Sequence, residues 1–238
     1  MNFLVLVIAV LIEHFFDIGR YREKVNLATP YFDAIDGWFG KKSFFSDWLG
    51  LACAVIPALA LLWILCAVFN DIFAGILYPL FSLFVLLYCL GGFDFQASTL
   101  PEVLAFHASK KFTVIFWFVI LGPFGAVFSR LLSDLADTKR WEHLSGLASF
   151  ISEWLSWLPV RLLCLSFALV GSFSAVVKLW FDQVLTGAHN NMNLLIQSVH
   201  NACEESDLDP IKLSSAAIRL FSRALLIWLA VLALIVIF

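Results

Sequence analysis

Residues 48–69, WLGLACAVIPALALLWILCAVF, hold no charged side chain from end to end. About 20 consecutive apolar residues match the hydrocarbon thickness of a bilayer and exceed what a buried core helix needs. Similar runs recur at 72–93, 112–132, 154–173 and 217–238, and a shorter one, 2–17, carries Glu13-His14 near its end and is marginal as a span. Of the 238 residues, 62% are hydrophobic and 14% charged, against about 45–50% and about 25% in an ordinary soluble domain. One soluble core of this size cannot hide that much apolar surface, so lipid must act as solvent. Backbone in lipid has to satisfy its own hydrogen bonds, which favours helices. The predicted fold is therefore all-α: a polytopic integral membrane helical bundle with five to six transmembrane segments plus cytoplasmic amphipathic helices, in one domain covering 1–238.

The segments between the runs carry their own signals. Thr99-Leu100-Pro101-Glu102 has the form of a capping box with Pro in the first turn, which predicts a short helix over about 99–111. Phe173, Val176, Val177, Trp180, Phe181 and Val184 recur at helical spacing, with Lys178 and Asp182 on the opposite side. That pattern predicts an amphipathic helix over about 174–186, at the membrane surface or docked on the bundle. A second covers about 190–203. Asp209-Pro210 reads as N-cap and first residue of the last helix. Asn70-Asp71 alone separates two runs, which implies a tight hairpin. If all six segments span, eleven Lys and Arg fall on one side, against Arg130, Lys139 and Arg140 on the other. The positive-inside rule then places 18–46, 94–111 and 174–216 in the cytoplasm. The N-terminal stretch lacks a basic n-region and a small-residue cleavage site, so it does not read as a removable signal peptide.

Ionisable groups within or beside apolar runs are the candidate functional residues, because charge at membrane depth is costly unless paired. Glu13, Arg130 and Arg161 qualify. Each either snorkels to the interface or joins a polar, ligand-binding cluster in which Glu13 is counter-ion to an arginine. Lys110 and Lys111 are positive-inside anchors or anion contacts. The five cysteines show no metal-ligand spacing and four lie in apolar runs, where Cys acts as a small hydrophobe. His107, His143, His189 and His200 lack metal spacing too. No phosphate-loop, nucleophile-elbow or metalloprotease motif occurs. These residues imply no catalytic set, metal or cofactor, and the near-neutral net charge of -3 gives no sign of nucleic acid.

FWFVILGPFGAVFSR (116–130), WLPVRLLCLSFALVGSF (157–173), SRALLIWLAVLALIVIF (222–238) and the opening LVLVIAVLIEHFF resemble segments of the AmpE family. That family comprises inner-membrane regulatory signalling modulators linked with β-lactamase control in Gram-negative bacteria. It is similar in turn to the CobD/CbiB membrane synthases, which join an aminopropanol unit to adenosylcobyric acid. The synthases carry an acid-rich ENxxD run, whose positions here hold Ala105, Phe106 and Ser109. Their later Tyr, Asn and Asp correspond to Ser129, Ser133 and Ala136, while Arg130 keeps the basic position. The resemblance implies a bacterial inner-membrane protein, non-enzymatic, acting in β-lactamase induction and cell-wall stress signalling. Its partners would be the bilayer and a protein of the cell-wall recycling or β-lactamase pathway. Two alternatives stay open: a divergent CobD/CbiB-like ligase binding a phosphorylated or nucleotide ligand, and a small transporter. Within 112–132, Gly122, Pro123 and Gly125 predict a kink near Val119 that aims Arg130 into the bundle.

Overall fold

The computed structural model describes residues 2–16, 28–39, 48–71, 77–90, 99–138, 141–203 and 210–237. No strand occurs among them. The chain is an all-α membrane helical bundle that divides into two compact units. The first comprises 1–93 and 114–152, the second 94–113 and 153–238. Each unit draws on separate stretches of sequence, so no linker-like composition marks the divide.

In the first unit, α1 (Asn2–Phe16), α2 (Ala28–Phe39), α3 (Trp48–Asp71) and α4 (Leu77–Leu90) precede α6 (Thr113–Leu121) and α7 (Pro123–Ala136). α1 packs on α4, and α7 lies against both α3 and α4. Tyr31 on α2 donates its hydroxyl to the Ala54 carbonyl at 2.6 Å, beside the Cys53 carbonyl that Pro57 deprives of its helical donor. Residues 72–76, where the hairpin after Asn70-Asp71 was expected, lie outside the described residues.

In the second unit, α5 (Leu100–Leu104) runs into a π-helix, Ala105–Phe112. α8 (Glu142–Val170) enters this unit at Glu153. α9 (Phe173–Gln183), a short 3₁₀ turn (Ala188–Asn190), α10 (Asn191–Cys203) and α11 (Pro210–Ile237) follow. α5 packs on α10 and α11, and α9 packs on α10. The core centres on Leu104, Leu163, Phe167, Leu194, Val199 and Phe221. Pro210 opens the last helix as expected, although Asp209 lies outside the described residues.

Four helical stretches are long and apolar enough to cross a membrane among the described residues: 48–69, 100–121, 144–170 and 213–235. α1 and α4 are shorter apolar helices. Large apolar side chains cover the outsides of these stretches, as Trp63 and Ile235 show at 65% and 66% exposure. Such surface suits lipid.

Two boundaries differ from the sequence reading. The capping box does form: Glu102 accepts the Thr99 backbone N–H at 3.0 Å and Thr99 receives the helix's own amide. The helix it starts does not end near 111 but continues through the π-helix to Leu121. The expected span 112–132 is in turn divided at Gly122. There the backbone takes φ 66°, open to glycine at little cost, and Pro123 opens α7 at the position where a missing N–H costs nothing. The motif therefore ends one helix and begins another, where a kink within one was expected. Gly125 makes the fold-back possible: a Cβ there would meet the Trp117 carbonyl oxygen and would sit 2.7 Å from its carbon.

Candidate functional site

The most elaborate polar constellation is built around Arg161, on the second-unit part of α8. Trp157 precedes it by one helical turn, and its ring lies 4.3 Å from the guanidinium carbon, a cation–π contact. Arg161 is 2% exposed. Its Nε donates to the Val184 carbonyl at 2.9 Å, and Nη1 donates to the Trp157 carbonyl at 3.1 Å and Asn191 Oδ1 at 2.7 Å. Nη2 donates to the Thr186 carbonyl at 2.7 Å, with Thr186 Oγ1 at 3.5 Å. No carboxylate belongs to this set.

The partners are themselves held in place. Asn191 Nδ2 donates to the Glu153 carbonyl at 3.0 Å and to Ser156 Oγ at 3.3 Å, which turns its oxygen toward the arginine. The Thr186 carbonyl also accepts from Trp157 Nε1 at 3.0 Å, and Trp180 Nε1 donates to the Arg161 carbonyl at 2.9 Å. Val184 and Thr186 follow directly on α9, where helical carbonyls lose their partners and the macrodipole is negative. Arg161 thus caps the end of α9 and fastens α10 to α8. With its N–H groups occupied, it has little left to offer a ligand.

Arg130 has different company. It lies half-buried on α7, with Nε 2.9 Å from a carboxylate oxygen of Asp134 four residues on. Nη1 donates to the Cys89 carbonyl in the last turn of α4 at 3.4 Å. Asp134 is a carboxylate partner that the sequence reading did not assign to Arg130. Glu13 is half-buried on α1, in the same unit as Arg130, whereas Arg161 belongs to the other. Lys110 and Lys111 occupy the π-helix, half-buried, and Lys111 Nζ stands 5.6 Å from the Phe106 ring centroid.

Sequence reasoning missed the π-helix and what it carries. His107 is buried at ring-centroid distances of 4.9 Å from Phe221 and 5.5 Å from Phe106. Phe112 lies against Phe221 and Trp228, and Trp228 Nε1 donates to Ser166 Oγ at 2.8 Å. A 3.6-residue period has no signature for a π turn. Asn191, Thr186 and Trp157 were missed as well. The amide in the first turn of an amphipathic segment was the one available hint. Among the described residues no three His, Cys, Asp or Glu side chains converge on a metal position.

The family profile described as "Regulatory signalling modulator protein AmpE" matches residues 103–238. The "Cobalamin biosynthesis protein CobD" of Chromobacterium violaceum is 31% identical over 94 residues, 37% of this chain and 30% of that protein. Its counterpart from Stutzerimonas stutzeri is 30% identical over 87 residues, 34% of this chain and 29% of that protein. The matched part is therefore less than a third of the length of these curated relatives. No solved structure matches the chain.

Proposed function

The chain belongs to the AmpE family, and from that premise we propose that it is a multi-pass protein of the bacterial inner membrane that regulates β-lactamase induction under cell-wall stress without turning over a substrate. The single observation that carries this reading concerns the positions where the resembling synthases have acidic and amide groups. The acidic positions hold Ala105, Ser109 and Ala136, none of which carries a carboxylate, and the Asn and Tyr positions hold Phe106, Ser133 and Ser129, all three buried. Ser129 Oγ donates to the Gly125 and Ala126 carbonyls at 2.8 and 3.1 Å. With those carboxylates absent, the groups that could hold Mg²⁺ or move protons are missing from these positions. The regulatory signal would then pass through contacts with a protein of the cell-wall recycling or β-lactamase pathway.

The test uses a host with an inducible chromosomal β-lactamase, measured after exposure to an inducer. Deleting the gene should change induced activity several-fold, and the wild-type chain should restore it. Unchanged induction overturns the reading.

The partial match to CobD favours one second reading, a divergent ligase that retains a site for a phosphorylated or nucleotide ligand at Lys110 and Lys111. Its mark would be a rise in unfolding temperature with Mg-ATP or cobinamide that Lys110→Ala abolishes. No shift with either compound removes it.

A further inference from the structure

Two helices of the second unit are too short to cross a bilayer, yet they run beside one that is long enough. α9 and α10 have 11 and 13 residues, roughly 16 and 20 Å at 1.5 Å per residue, against about 30 Å of hydrocarbon. Their contacts fix their course. Near the end of α10, Ala202 lies against Gly171 at the end of α8, where an added Cβ would come within 2.8 Å of the Ala202 Cβ. At the other end, the turn after α9 is tied to Arg161 and Trp157. Those residues lie 10 and 14 positions before Gly171, roughly 15–20 Å along α8.

We propose that residues 173–203 form a re-entrant helical hairpin. α9 descends into the bilayer beside α8, the chain turns at 184–190, and α10 climbs back to the face it left, with its outer side in contact with water from that face. This rests on α8 crossing the membrane and not on the regulatory reading. Depth is set by the neighbours: the exposed side chains of α8 along this stretch include Trp154, Leu158 and Leu169, which suit lipid.

A turn at that depth exposes carbonyls that hydrocarbon cannot satisfy, so such backbone occurs only where protein or water meets it. Arg161, Trp157 and Asn191 supply the protein side, which explains why a cation is buried within a span and partnered by carbonyls. The outer side explains the water. Gln183 Nε2 donates to Gln197 Oε1 at 2.8 Å, and Asn190 Nδ2 donates to Gln183 Oε1 at 3.2 Å. Asn193 Nδ2 continues the chain to Asn190 Oδ1 at 3.1 Å. Asn193, Gln197, His189 and His200 are exposed, as are Lys178 and Asp182 on α9. Amides and charges in this arrangement fit an aqueous recess and not acyl chains.

Thiol labelling of the full chain in sealed membrane vesicles tests this. All native cysteines except the buried Cys164 are replaced by serine, and single cysteines are added by Ser172→Cys, His189→Cys, Asn193→Cys and His200→Cys. Two impermeant reagents are applied from each side, a small charged thiosulfonate and a maleimide on a polymer too wide for a helix-sized recess. Ser172→Cys and His200→Cys should react with both reagents from one face. His189→Cys and Asn193→Cys should react with the small reagent from that same face and lose labelling by the bulky one. Reaction of His189→Cys from the opposite face means a crossing, equal reaction with the bulky reagent means a hairpin outside the bilayer, and silence to both means a dry tip. Each of these three results overturns the proposal.

Discussion

Arg130 and Arg161 stand in different units and serve the same kind of acceptor, a carbonyl at the end of a neighbouring helix. They differ in everything else. Arg161 is sealed among carbonyls, one amide and an indole face, so every partner is a dipole fixed by the fold. Arg130 keeps an ion pair with Asp134 on its own helix and reaches the adjacent helix only at 3.4 Å. A cation in an apolar sequence therefore has at least two distinct uses, and the partners distinguish them where the position does not.

The sharpest way to break that comparison is to remove each cation in turn. Arg161→Met strands the Val184 carbonyl and the Asn191 oxygen and leaves the Thr186 carbonyl with Trp157 Nε1 alone, at about 1–3 kcal/mol for each group that finds no substitute. Thermal unfolding in mild detergent, followed by tryptophan fluorescence, should show a loss on the order of 3–5 kcal/mol. Arg161→Lys should recover only part of it, because an ammonium cannot reproduce the planar fork that meets acceptors on four residues. If Arg161→Met costs no more than Arg130→Met, the distinction between the two sites is lost.

The next two predictions ask whether the first unit is held by backbone fit instead of charge. Gly125→Ala puts a Cβ against the Trp117 carbonyl and 3.0 Å from the Leu121 Cβ, and backbone cannot swing aside as a flexible side chain does. We expect a loss of about 1–3 kcal/mol, the usual scale of overpacking. Gly122→Ala forces a side chain onto φ 66° and should cost about 1–2 kcal/mol. The same unfolding assay reads both. Neutral behaviour of Gly125→Ala would mean that α6 and α7 part more easily than their contact implies.

The legible features were those written in hydrophobicity and capping chemistry. Uncharged runs marked the membrane class, Thr99 and Glu102 announced a helix start that forms as expected, and Pro210 marked the last one. Boundaries failed where two signals competed. Lys110-Lys111 looked like the polar end of a helix, but the π-helix carries the chain past them, with Phe106, His107 and Phe112 buried. Gly122-Pro123 looked like a kink because proline within an apolar run usually bends a helix, whereas a glycine at positive φ lets the chain end one helix and start the next. Arg161 was singled out for a charge within an apolar run. Its partners were not legible, since Val184, Thr186 and Asn191 lie 23 to 30 residues away and most of them act through backbone carbonyls, which carry no sequence signal.

The smallest effect belongs to the Arg130–Asp134 pair. An exposed i,i+4 ion pair contributes about 0.3–0.5 kcal/mol. Partial burial, at 13% and 18% side-chain exposure, raises that modestly. A double-mutant cycle with Arg130→Gln and Asp134→Asn should therefore give a coupling energy of about 0.3–1 kcal/mol that shrinks as salt is added. Cys89 offers only a carbonyl and can be left in place, so the cycle isolates the carboxylate's share. A coupling of several kcal/mol, insensitive to salt, would mean that the pair is sealed from water as Arg161 is, and the contrast between the two arginines would reduce to the identity of their acceptors.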